Sequence, residues 1–107
     1  MSWIELERKL LTYEAKGIEV PTKNLIKTDE QMEGIRKACA LNTAVLDEVE
    51  KNIKVGMSTE DINNIVYDFT TAHGGIPAPL NYEGFPKSVC TSVNDEICHG
   101  IPDKHVI

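Results

Sequence analysis

A chain of 107 residues, 41% of them hydrophobic, with a formal net charge of −6 at pH 7, allows one small domain with a modest core. The negative balance repels phosphate and the basic residues are scattered, which argues against nucleic acid as a partner; no apolar run is long enough to span a bilayer. Cys39, Cys90 and Cys98 cannot all pair within one chain and show no CxxC spacing, and Met1–Glu7 lacks a secretory leader, so reduced thiols in a cytoplasmic location are expected.

Ser2 with Glu5 has the form of a capping box, and Trp3, Leu6, Leu10 and Tyr13 recur at steps of three and four. This predicts a short amphipathic helix ending near Gly17. Ile18–Thr22 is expected to be extended, because the residue before Pro21 is pushed out of the helical region.

Thr28 with Gln31 opens a second helix, whose apolar stripe is predicted as Met32, Ile35, Cys39, Leu46, Val49 and Ile53, interrupted at Asn42 and ending at Gly56. Ser58 with Asp61 opens a third, with Ile62, Ile65, Val66 and Phe69 on its apolar face and His73-Gly74-Gly75 as its stop. His73 suits a helix C-terminus as a cation, and the acidic Asp29, Glu30 and Glu33 suit the start of the second helix.

Gly75 to Gly84 is rich in proline, glycine and asparagine and reads as an ordered loop able to line a pocket. Ser88–Val93 alternates small polar and β-favouring residues. With Asn94-Asp95 as the turn and Ile97-Cys98-His99 returning, it predicts a β-hairpin. Three helices followed by a hairpin give an α+β domain. By their residue type alone, Cys90 and Cys98 are expected to be small buried hydrophobes, and Tyr82 and Phe85 to cover the hairpin. His105 is expected in a frayed terminus.

The run Asn81-Tyr82-Glu83-Gly84-Phe85-Pro86-Lys87-Ser88-Val89-Cys90-Thr91-Ser92-Val93-Asn94, followed by Cys98-His99-Gly100-Ile101-Pro102-Asp103, resembles the pattern of type I methionine aminopeptidases. The similarity extends upstream to about Ile26. It divides the chain into a helical extension and tether, residues 1–25, and the amino-terminal half of an aminopeptidase domain, residues 26–107.

The resemblance implies one half of a pita-bread fold, in which two similar α+β halves enclose a dinuclear metal centre. In the complete enzyme that centre holds two divalent ions, cobalt, manganese, iron or zinc, on aspartate, histidine and glutamate ligands. All of those ligands belong to later sequence, so no divalent metal ligand is assigned here and the chain alone is expected to be inactive.

Also by resemblance, His99 takes the catalytic position beside the scissile peptide, where an imidazole can donate a hydrogen bond near neutral pH. Gly100 beside it lets backbone approach closely. Tyr82, Phe85 and Cys90 match positions that line the methionine side-chain pocket, with Pro79 at a position where the family varies; together with His99 these form the implied substrate-binding set, and Asn94 and Glu96 match positions whose carbonyls hold a monovalent cation in some members. The implied activity is removal of the initiator methionine from nascent proteins, and the implied partners are a nascent peptide amino terminus and the ribosome. A rival reading is a non-catalytic peptide- or protein-binding module using the same pocket. A third is self-association, because half of such a fold leaves an apolar face for a missing carboxy-terminal half or a second copy to cover.

Overall fold

The Ser2 hydroxyl accepts from the Glu5 backbone N–H at 3.2 Å while the Glu5 carboxylate accepts from the Ser2 N–H at 2.8 Å, and this reciprocal cap opens α1 (Trp3–Glu14). The same backbone N–H, followed by the Ser2 hydroxyl, holds the Glu5 carboxyl below its ordinary value. Leu6 and Leu10 are the half-buried members of the apolar stripe, whereas Trp3 and Tyr13 are exposed. Gly17, at φ 75°, turns the chain, and Ile18–Thr22 runs without regular structure into a 3₁₀ turn at Lys23–Leu25. In this turn Lys23 pairs with Glu7, both of them exposed.

The computed structural model describes residues 1–107, and these divide into two compact units, Met1–Glu33 and Gly34–Ile107. The second helix, α2 (Asp29–Asn52), starts at the anticipated Thr28–Gln31 cap: the Gln31 side chain accepts from the Thr28 N–H at 2.9 Å and the Thr28 hydroxyl from the Gln31 N–H at 3.2 Å. Its buried face differs from the predicted stripe. Val45 is buried, with Leu41 and Val49 packed beside it one turn away on either side, while Met32, Ile35, Cys39, Leu46 and Ile53 are exposed. At roughly 100° per residue, Leu46 lies a quarter-turn or more away from Val45, so a three-four rhythm that includes Leu46 selects the wrong face.

Ser58 and Asp61 form the third capping box, at the start of α3 (Thr59–Ala72). Ile62 and Val66 are buried against Val45, and Leu41, Val49, Phe69, Val89 and Ile107 complete this core. Donation from the Ser58 backbone N–H, and then from its hydroxyl, lowers the Asp61 pKa from its ordinary 3.8. A carboxyl depressed in the folded state adds stability that is present above its unfolded value and lost as pH falls through its folded one. Acid titration of the unfolding midpoint from about pH 6 to about pH 2 is therefore expected to show a flatter acid limb in Asp61→Asn than in the parent chain.

The last residues run antiparallel to the chain that enters α3. Ile107 N–H donates to Met57 O at 2.9 Å, Gly56 N–H to Ile107 O at 2.7 Å, Thr59 N–H to His105 O at 2.9 Å, and Glu60 N–H to Asp103 O at 2.8 Å. His105 is thus held in place through its backbone, where fraying is the expectation from its position. Pro102, fully buried, anchors the same segment.

The expected hairpin is absent. The structure contains no named strand, only an isolated antiparallel bridge between Ser58 and Val106. Across the predicted pairing a single ladder bond remains, from Thr91 N–H to Gly100 O at 2.9 Å. Asn94 and His99 take positive φ, 53° each, which breaks the pleat, and Ser88 and Gly100 give their N–H groups to side chains. The hairpin expectation is corrected accordingly: the chain is helical, with an ordered irregular segment after α3. No helix is long and apolar enough to cross a membrane.

Candidate functional site

Beside the packing of Val89 on the core, the irregular segment is bound to α3 by one buried hydrogen bond. Asn63, 8% exposed, accepts from the backbone N–H of Ser88, 4% exposed, at 2.8 Å. Lys87 reaches the Glu60 carboxylate at 2.6 Å, but both side chains are about one-third exposed, so this pair adds direction more than stability. Thr59 holds the far end: its hydroxyl accepts from the Asp103 N–H at 2.9 Å. Sequence reading missed all three of these positioning residues. Asn63 carries a signal in the pattern, since it is a polar residue inside the apolar face between Ile62 and Val66.

Residues 77–85 form a knot of backbone bonds. Tyr82 N–H donates to Pro79 O at 3.1 Å, Phe85 N–H to Tyr82 O at 2.9 Å, and Asn81 N–H to Phe85 O at 2.8 Å. Asn81 and Glu83 both adopt positive φ within this turn, at 65° and 47°. Three of the predicted pocket residues are thereby brought into one rigid loop: Pro79 and Phe85 half-buried, Tyr82 68% exposed. Tyr82 does not cover the segment that follows, as an aromatic there by default would, and presents its ring to solvent.

The second cluster is built around Gly100. Thr91 N–H takes its carbonyl, and the Ser92 hydroxyl accepts its N–H at 3.2 Å. A Cβ on Gly100 would run into the Thr91 carbonyl oxygen and the Glu96 carboxylate, with the Thr91 carbonyl carbon 2.8 Å away. The close approach anticipated for this glycine is therefore real, and its partner is the Thr91 backbone. His99, next to it, is exposed and sits in the left-handed region.

Asn94 and Glu96 frame the turn before His99, with Glu96 N–H donating to Val93 O at 3.1 Å. The Glu96 carboxylate accepts from the Val93 N–H at 3.3 Å. Cys90 and Cys98 are free and exposed, contrary to the burial expected of their residue type. His73 caps α3, stacked on Phe69 at 4.2 Å between ring centroids and with Nδ1 2.8 Å from the Phe69 carbonyl oxygen. No group of three or more His, Cys, Asp or Glu side chains is placed to hold a metal ion. The residues present do not fit a divalent centre.

Comparison with known proteins places this arrangement. Residues 33–107 match the profile of metallopeptidase family M24. The mitochondrial methionine aminopeptidase 1D of Danio rerio is 49% identical over 89 residues, 83% of this chain and 26% of that protein. Methionine aminopeptidase 1 of Saccharomyces cerevisiae is 49% identical over 78 residues, 73% of this chain and 20% of that protein. The crystal structure of methionine aminopeptidase from Rickettsia prowazekii superposes with a TM-score of 0.73 at 41% identity, covering 77% of this chain and 33% of that one. The chain thus spans a fifth to a third of the length of these relatives.

Proposed function

We propose that this chain, which belongs to metallopeptidase family M24, is the amino-terminal part of a methionyl aminopeptidase that removes initiator methionine from nascent proteins. The observation that carries the reading is the coincidence of sequence and staging. The residues that carry the resemblance, Asn81–Asp103, are the ones that α3 pins in a defined irregular path through Asn63, Glu60 and Thr59. Helices hold the segment and the segment presents the side chains, as expected of a binding surface on a scaffold.

On this reading Pro79, Tyr82, Phe85 and Cys90 line one wall for a methionine side chain, whose thioether suits aromatic edges and a thiol. His99 offers its imidazole to the scissile peptide as a hydrogen-bond donor while charge develops. The family's divalent ions, when bound to the complete enzyme, activate water and polarise the carbonyl. No step through them is assigned to residues of this chain, and the 107 residues alone are expected to lack turnover. Backbone carbonyls of Asn94 and Glu96 are the candidates for a monovalent cation. Three free thiols agree with a reducing, cytoplasmic setting.

The rival reading is a non-catalytic module that holds a peptide amino terminus on the same wall, where the exposed Tyr82 ring is open to a ligand. Methionine release from a Met-Gly peptide with added manganese or cobalt separates the two. Turnover only in a version extended through the family's metal ligands supports the aminopeptidase reading. Peptide binding without turnover in that extended version favours the module, and metal-dependent turnover by the 107 residues alone would show the catalytic centre misplaced.

A further inference from the structure

His99 is one of four non-glycine residues with positive φ, and this conformation is disfavoured for a side chain with a Cβ. Asn81, Asn94 and His99 belong to residue types enriched in this region, and Glu83 departs from helical geometry inside its turn, at φ 47° and ψ 34°. Histidine visits this region more often than most side chains, but keeping one conformation there still requires contacts that fix the adjoining peptides. What holds it lies on its carboxyl side. The next peptide N–H, that of Gly100, is taken by the Ser92 hydroxyl at 3.2 Å, and the Gly100 carbonyl by the Thr91 N–H at 2.9 Å. Two consecutive residues, Thr91 and Ser92, therefore grip both polar groups of Gly100, while Thr91 and Glu96 close on its Cα. Of these contacts, the Ser92 bond alone acts on the peptide that joins His99 to Gly100.

We propose that Ser92 is a positioning residue for His99: its hydroxyl, by accepting the Gly100 N–H, fixes the His99–Gly100 peptide and so keeps His99 in the left-handed conformation that presents its imidazole. The functional importance of that presentation rests on the aminopeptidase reading; the positioning itself does not. Without the hydroxyl, the Gly100 N–H can turn to water and His99 can relax to an extended or right-handed conformation. Thr91 N–H and the contacts at the Gly100 Cα stay in place, so the segment as a whole keeps its path.

The test is NMR on the 107-residue chain, comparing Ser92→Thr with Ser92→Val, two side chains of nearly equal shape that differ in the oxygen. In Ser92→Thr the carbon chemical shifts of His99 are expected to keep their left-handed signature, and exchange of the Gly100 amide to stay as in the parent. In Ser92→Val that signature is expected to disappear and Gly100 exchange to quicken about five- to tenfold, the loss of one hydrogen bond. The proposal is overturned if His99 stays left-handed in Ser92→Val, or if Ser92→Thr loses the signature equally. Should valine disturb the segment generally, seen as altered shifts at Ser88, the smaller Ser92→Ala decides by the same two readouts. Because the result is read in the His99 backbone, it fails independently of methionine release.

Discussion

Gly100→Ala is expected to destabilise the chain by about 3 kcal/mol, the upper end of what overpacking costs. The reason is the kind of atom that the new methyl meets. The Thr91 carbonyl cannot rotate aside as a long side chain does, and its carbon would lie only 2.8 Å from the added Cβ. Relief requires the Thr91 and Gly100 backbones to part, which also breaks the 2.9 Å bond between them. Urea unfolding of the two proteins measures the difference. A loss below about 0.5 kcal/mol would mean that this segment yields freely and that its close approach constrains nothing. Gly34→Ala serves as the control: nothing lies within 4 Å of its added Cβ, and it sits inside α2, where alanine is the better helix former by about 0.8–1.0 kcal/mol.

The second large effect is expected at Asn63. Truncation to alanine removes the acceptor at 2.8 Å from the Ser88 N–H and leaves that donor in a site only 4% exposed. An unsatisfied buried donor costs about 1–3 kcal/mol, and the missing amide adds a void. Since this is the buried hydrogen bond by which the Phe85–Cys90 stretch meets α3, the loss is expected to appear locally as well as globally. Hydrogen exchange at Ser88 and its neighbours is expected to quicken more than exchange in the middle of α3. Equal acceleration throughout would show that Asn63 supports the fold as a whole and does not anchor this stretch in particular.

The helices were legible because their signals are local. A Ser three residues before an acid, or Thr before Gln, encodes a geometry that the backbone can satisfy within one turn, and all three such boxes open helices here. The apolar face of α3 was readable for the same reason. The face of α2 was not, because several registers of a three-four rhythm fit its sequence and only the position of Ile62 and Val66 selects Leu41, Val45 and Val49. The hairpin failed differently. Alternation in Ser88–Val93 reports a tendency toward extended backbone, but a strand needs a partner for each N–H and C=O. In this segment those groups go to Asn63, Ser92 and the start of α3. The resemblance nominated the candidate site residues, whereas the side chains that tie their segment to α3, Asn63 and Thr59, lie outside any local rule.

The way the last five residues meet α3 bears on the order in which the molecule is assembled. Ser58 and Asp61 can cap the helix as soon as they are joined, but the N–H groups of Thr59 and Glu60 find their acceptors at His105 and Asp103. Thr59 and Asp103 are 44 positions apart, so the ring they close can form only after everything between them has been synthesised. During translation, then, α3 exists with two donors still turned to water until residues 103–105 have been made, and Ile107 packs against the core around Val45, Ile62 and Val66 from the same stretch. The irregular segment that carries His99 is enclosed within that ring, so its path is fixed only when the ring closes.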